Sequence, residues 1–227
     1  MRRGGLVLDF DSTIVKAETF EVIARHTLRG REDAERVVDE VERITALGME
    51  GRIPIRESLS RRFALVAPTC ADIEAARDEL IEAVSPSMLA HAAWLRQRAE
   101  AVWIVSNGFL PLIAPVAQLL GLRVDHIVAS NFLWKGDRCA GVEDSVLLEP
   151  GGKGKALSNL RLPPPVWVVG DGYTDYEMAR AVGARFIAFT EHIRRERAVR
   201  AADYICDSFD CVVRLIEEEP ASQGLQM

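Results

Sequence analysis

The sequence predicts an α/β fold: a doubly wound, Rossmann-like parallel-sheet core with an inserted helical cap domain after the first strand. Three observations predict it. From residue 86 onward, short apolar runs alternate with helical patterns over short links, as in parallel strands covered by helices on both faces. One further apolar run, Leu6-Val7-Leu8, stands alone near the N-terminus. Between residues 17 and 84 every periodic stretch is helical and none reads as a strand. The expected division is residues 1–14 and 86–227 for the core and 15–85 for the cap.

Taken in order, the run at 6–8 reads as a short buried strand that leads straight into Asp9 and Asp11. Val15, Phe20, Val22, Ile23 and Ala24 then form a helical stripe among Lys16, Glu18 and Glu21. A charged helix is expected over 31–47, with Val37, Val38, Val41 and Ile44 on one face and Gly48 and Gly51 breaking it around Met49. A third helix is expected over 54–66, with Pro54 in its first turn. Thr69 is the expected N-cap of a fourth, whose stripe is Ile73, Ala76, Leu80 and Val84. Ser85-Pro86 starts a helix over 86–98. There follow a strand at 101–105, a helix at 110–120, a strand at 124–128 and a hairpin at 131–141 around Gly136-Asp137. Gly151 and Gly152 open a helix to about residue 160, and three prolines precede a strand at 166–169. Strands at 185–188 and 204–206 follow, with helices between and after them.

Bulk properties narrow the function. The chain has 227 residues, room for one large domain or a core with an insertion. A net charge of −6 carries no nucleic-acid footprint. Its apolar runs are too short to span a bilayer, and no cleavable apolar segment precedes Asp9, so a cytoplasmic protein is expected. Cys70, Cys139, Cys206 and Cys211 form no Cys-x-x-Cys pair, and the expectation is four structural thiols in a reducing compartment. The histidines make no zinc motif.

The chemistry-bearing groups gather at strand ends. At the end of an extended strand alternate side chains share a face, so Asp9 and Asp11 are expected in one space. Two crowded carboxylates favour a divalent cation and a division into nucleophile and general acid/base, although Asp-x-Asp alone also fits a solvated turn or a plain metal site. Ser106-Asn107-Gly108 and Asp171-Gly172, with Thr174 and Asp175 beyond, follow two other strands. These carboxyl ends are where ligands bind in open α/β sheets. Lys153 lies where a Gly-rich turn opens a helix, a usual phosphate site. Outside these groups, Glu18 and the pair Arg61-Arg62 are by themselves ordinary solvated charges. Arg194-Arg195-Glu196-Arg197 with Arg200 has no interleaved aromatics and reads as a solvated helix face. Trp134 reads as a packed strand residue.

Asp9-Phe10-Asp11-Ser12-Thr13, Ser106-Asn107-Gly108, Lys153 and Gly170-Asp171-Gly172-Tyr173-Thr174-Asp175 resemble, in content and order, the four motifs of the haloacid dehalogenase superfamily. Within it the chain is similar to the phosphoserine phosphatase family through Glu18, Met49-Glu50-Gly51, Ser58-Leu59, Arg61-Arg62, Gly108-Phe109 and Phe186-Ile187-Ala188-Phe189. The resemblance implies a phosphatase for a small phosphomonoester, with L-phosphoserine the expected substrate. Asp9 would be the nucleophile and Asp11 the general acid/base. Ser106 and Lys153 would bind phosphate oxygens. Mg2+ would be held by Asp9, the backbone carbonyl of Asp11 and Asp171, with Asp175 in support. Glu18 would meet the substrate ammonium and Arg62 its carboxylate, with Met49, Asn107, Gly108 and Thr174 also at the substrate. The expected partner is a small phosphorylated metabolite, with no nucleic acid or membrane, in a monomer or homodimer. Two positions depart from the pattern: Asn107 replaces a usual glycine, and Ile55 stands where an aromatic is common. A phosphatase or phosphotransferase for another small phosphorylated metabolite and a non-catalytic binding protein on the same scaffold remain alternatives, the last disfavoured by intact Asp9, Asp11, Lys153 and Asp171.

Overall fold

The computed structural model describes residues 4–49 and 52–218. Glu50 and Gly51, which enter the resemblance and the expected helix break, lie outside the described residues. Six parallel strands form the sheet: β1 (Gly5–Leu8), β2 (Val102–Phe109), β3 (Ile127–Ser130), β6 (Val166–Gly170), β7 (Arg185–Phe189) and β8 (Tyr204–Cys206). Their order is β3-β2-β1-β6-β7-β8, so β1 is central and the strand order reverses beside it. An antiparallel pair, β4 (Phe132–Lys135) and β5 (Arg138–Val142), turns at Gly136.

Strand alternation divides the core into two. Leu6 and Leu8 face one apolar cluster with Ile104, Val169 and Ile187. Val7 faces the other with Val105, Val168 and Phe186. The first face is covered by α5 (Pro86–Ala90), α7 (Leu110–Leu119) and α11 (Phe209–Glu218), the second by α8 (Gly152–Ser158), α9 (Tyr173–Ala181) and α10 (Glu196–Ala201). The helix α6 (Ala92–Gln97) joins α5 to β2.

Between β1 and β2 lie α1 (Thr19–Thr27), α2 (Ala34–Met49), α3 (Ile55–Val66) and α4 (Cys70–Glu82). α1 packs on α2 and α4, and α2 on α3. An aromatic chain ties this group to the sheet. Phe20 meets Phe63 edge-on at 4.9 Å, Phe63 meets Phe109 at 5.8 Å, and Phe109 stacks on Phe132 at 4.2 Å. Such pairs add to their apolar burial and orient the helices over the strand ends. Thr69 is the expected N-cap: its hydroxyl accepts from the Asp72 N–H, and Asp72 accepts from the Thr69 N–H at 2.8 Å.

Several expectations need correction. α2 runs through Gly48 to Met49, since a single glycine costs only about 1 kcal/mol and Val41, Ile44 and Thr45 are buried against neighbours. The helix expected over 86–98 is two helices, because His91 (φ −100°, ψ 15°) leaves helical geometry between them. Residues 124–126 form a 3-10 turn ahead of β3. β2 extends through Ser106, Asn107 and Gly108 to Phe109, where pairing with Ser130 resumes after an irregularity. Cys206 and Cys211 form a disulfide instead of two thiols, because the chain reverses between β8 and α11 and brings their Cα atoms to 5.5 Å. No described helix is long and apolar enough to cross a membrane.

Candidate active site

The chain leaves β1 into a tight loop. The Asp9 N–H donates to the Val169 carbonyl at 2.9 Å, which anchors Asp9 to the neighbouring strand. Phe10 is fully buried and pins the loop to the core. The N–H groups of Ile14 and Val15 both donate to the Phe10 carbonyl, at 2.8 and 3.2 Å, and Ser12 takes a left-handed φ of 53°. A non-glycine residue there is strained and persists because the surrounding bonds hold it. The Ser12 hydroxyl donates to Glu18 Oε1 at 2.8 Å. Asp11 Oδ1 accepts from the Thr19 N–H at 3.0 Å and from its hydroxyl.

Beneath this loop, ligand atoms of Asp9, Asp171 and Asp175 lie within 4.8 Å of one another, all buried. Lys153 Nζ, on α8, sits 2.8 Å from Asp9 Oδ1 and 2.8 Å from Asp175 Oδ1. The approach of α8 requires Gly152, where a Cβ would lie 2.3 Å from the Val146 carbonyl. Gly170 plays the same part on β6: a Cβ there would meet Asp175 Oδ2 at 2.4 Å. That oxygen accepts from the Gly172 N–H at 3.0 Å, so Asp175 is committed to Lys153 and to the start of α9. Asp171 Oδ1 is buried without a hydrogen-bond partner. An orphaned carboxylate oxygen in an all-oxygen donor set fits a hard cation such as Mg2+. The Asp11 side chain is not in this cluster. It is tied to Thr19 and shares the cleft floor with Asp9, so the two carboxylates face one space as expected at a strand end.

Above the cluster opens a cleft of about 440 Å3 between the strand ends and the helices α1 to α3. Asp9, Asp11, Ser106 and Lys153 line its floor, and Asn107, Gly108 and Thr174 its wall. Glu18, Met49 and Arg62 line the side facing the inserted helices. Ser106 Oγ accepts from the Gly108 N–H at 3.0 Å, which leaves its own proton to donate. Asn107 Oδ1 is buried without a hydrogen-bond partner. Arg62 is 7% exposed, with its guanidinium carbon 4.6 Å from the centre of the Phe20 ring and its Nε donating to the Ser58 carbonyl at 3.3 Å. Its neighbour Arg61 is in solvent beside Glu57. The two arginines, indistinguishable in sequence, are thus separated by the face of α3 they occupy. Trp134 does not line the cleft.

The electrostatics suit proton and phosphate chemistry. Burial, then Glu18 and Asp9, hold the Asp11 carboxyl well above the usual carboxylate range, against the Thr19 hydrogen bonds. Burial pushes Asp171 up to about 6 against the pull of Arg195. Asp175 shifts the same way, through burial and Asp9. Burial disfavours the Lys153 ammonium, but Asp175 and Asp9 outweigh it and push its pKa up. Burial pushes Arg62 down to about 10, against Asp11, Glu18 and Glu21.

One participant departs from its sequence reading. Arg195, expected on a solvated face, enters the site from the link between β7 and α10. Its Nε donates to Asp171 Oδ2 at 2.5 Å and a terminal nitrogen to Glu18 Oε1 at 2.9 Å. Only its position past the carboxyl end of a strand hinted at this, because a run of arginines otherwise looks like any solvated helix start. Thr19 was likewise not legible as the partner of Asp11.

A family model described as haloacid dehalogenase-like hydrolase matches residues 6–180. The chain is 29% identical over 215 residues to "Phosphoserine phosphatase, chloroplastic" of Arabidopsis thaliana, covering 92% of this chain and 70% of that one. Its fold is similar to that of a phosphoserine phosphohydrolase-like protein from Francisella tularensis, with TM-score 0.82, 28% identity and coverage of 94% and 99%. It is also similar to a structure described as "Phospho-Aspartyl Intermediate Analogue of Phosphoserine phosphatase", with TM-score 0.77, 26% identity and coverage of 95% and 99%.

Proposed function

Because the chain belongs to the haloacid dehalogenase-like hydrolases, we propose that it hydrolyses a small phosphomonoester, L-phosphoserine, through an aspartyl phosphate formed on Asp9. The observation that carries this reading is Asp9, buried at the cleft floor with Lys153 Nζ 2.8 Å away. A carboxylate cannot approach an anionic phosphate unless local cations offset the repulsion, and Lys153 is positioned to do so.

In this reading an Asp9 oxygen attacks phosphorus as the bond to the leaving alkoxide breaks. Asp11 delivers its proton to that alkoxide. Burial, Glu18 and Asp9 favour its protonated form, and Thr19 fixes its direction. Water then attacks the aspartyl phosphate and loses its proton to Asp11, which releases phosphate and restores Asp9. Ser106 and Lys153 hold phosphate oxygens. Asp9, Asp171 and the Asp11 backbone carbonyl, with Asp175 behind them, would hold Mg2+, which when bound supplies Lewis-acid charge neutralisation at the phosphate. Arg62 is buried with no carboxylate bonded to it among the described residues, which supports a role in meeting the substrate carboxylate. Glu18 faces the cleft beside it and supports ammonium binding.

The test is phosphate release from a panel of phosphorylated metabolites, with Mg2+ and with chelator. Phosphoserine should lead the panel, and activity should vanish with chelator and return with Mg2+. Preference for a phosphate lacking a carboxylate overturns the substrate, and full activity in chelator overturns the metal reading.

A further inference from the structure

Arg195 bridges the acidic cluster to Glu18, on the side of the cleft that faces the inserted helices. Its guanidinium bonds Asp171 Oδ2 at 2.5 Å with one nitrogen and Glu18 Oε1 at 2.9 Å with another. The segment that carries it is braced on the start of α9, two residues past Asp171, since the nearby Arg197 guanidinium lies 3.6 Å over the Tyr173 ring. Glu18 is also held by the Ser12 hydroxyl, from the loop that carries Asp9 and Asp11. A single side chain therefore spans from a candidate metal carboxylate to the entrance of α1.

We propose that Arg195 and a divalent cation compete for Asp171, and that Arg195 thereby links cation binding to Glu18. This rests on the metal reading of the acidic cluster given above. A divalent cation at Asp171 stands within a few ångströms of the guanidinium, and like charges at that distance repel. The bond to Asp171 weakens and the bond to Glu18 remains, so Arg195 passes to the cleft wall. Glu18, held from two sides, then keeps a fixed direction for an amine-bearing substrate. Arg195 is accordingly a positioning residue for both the cation and Glu18.

The competition has a sign that structural damage does not share. Mn2+ binding to the full chain, read from the loss of the free-ion electron paramagnetic resonance signal without substrate, tests it. Arg195→Gln should tighten Mn2+ binding by roughly tenfold or more, the order expected for removing a nearby positive charge from a partly solvated site. Unchanged or weaker binding overturns the competition. Arg195→Lys keeps the charge but cannot fork between two carboxylates, so it should tighten binding by roughly two- to threefold. If Arg195→Gln fails to fold, no change in Arg195→Lys overturns the proposal by itself. Glu18→Gln should weaken Mn2+ binding more in the wild-type background, where Arg195 then falls wholly to Asp171, than in Arg195→Gln. Equal effects in both backgrounds overturn the link to Glu18. Wild-type protein that binds no Mn2+ overturns the metal reading along with this proposal, whereas normal wild-type binding with an unresponsive Arg195→Gln overturns this proposal alone.

Discussion

Replacing Lys153 by methionine, close to it in length, isolates the charge from the packing. Lys153 is 6% exposed and contacts Asp9 and Asp175, each at 2.8 Å. Asp9, Asp171 and Asp175 are offset by Lys153 and by Arg195 at Asp171, a balance of three carboxylates to two cations. Methionine leaves one. Breaking a buried pair by removing one partner costs about 3–5 kcal/mol. In a chain of this size that lowers Tm by roughly 6–20 °C. The deficit should depend on pH with a definite sign. A carboxyl whose folded pKa is raised, as for Asp171 at about 6, favours the folded state fully below its unfolded value of 3.8 and loses that contribution as pH rises through the folded pKa. Asp175, raised to about 8, is the carboxyl that Lys153 holds down; without Lys153 its pKa climbs further, so at pH 5 a proton replaces the missing ammonium and the deficit should shrink to about 1–2 kcal/mol. The assay is thermal and urea unfolding followed by circular dichroism, in chelator, for both proteins at pH 5 and pH 8. Mg2+ added at pH 8 should narrow the gap. A loss below about 1 kcal/mol at pH 8, or the same loss at both pH values, would refute the charge-balance argument.

Asp9→Asn should abolish both turnover and any hydroxylamine-sensitive phosphoenzyme, whereas Asp11→Asn should slow turnover and let the phosphoenzyme persist. Near-normal turnover by Asp9→Asn would instead require direct attack by water. Arg62→Ala should lower kcat/KM for phosphoserine by roughly 30-fold, about 2 kcal/mol, because a substrate carboxylate is left unpaired in a closed cleft. An aryl phosphate without a carboxylate should be hydrolysed with similar efficiency by both proteins. An equal loss on both substrates would assign Arg62 to holding Phe20, Thr45 and Ser58 in place.

Local physics made much of this molecule legible. Leu6-Val7-Leu8 could be little other than a buried strand, and its parallel neighbours announce themselves by alternation with helices. Thr69 was readable as a cap because hydroxyl-to-N–H capping is settled within four residues. Asp9, Ser106, Lys153 and Asp171 were readable because strand ends and a Gly-rich helix start are local features of the chain, and parallel topology brings such ends together. Gly48 misled because glycine's helix penalty is smaller than the packing around it. The Cys206–Cys211 pairing was missed because spacing alone does not say where the chain reverses.

What the sequence by itself determined was the set of elements and the strand ends that carry the candidate site, since periodicity and turn residues act over a few positions. What only the tertiary structure decided was which charges are buried together. Arg61 and Arg62 are adjacent and alike, yet one is solvated beside Glu57 and the other lies on Phe20 inside the cleft. Arg195 belongs to a run of arginines and still ends on Asp171 and Glu18, residues 24 and 177 positions away. Asp11 is held by the N–H and hydroxyl of Thr19, eight positions on, a pairing that no local spacing announces. A charge's worth depends on its desolvation and its neighbours in space, and neither is written in the order of the residues.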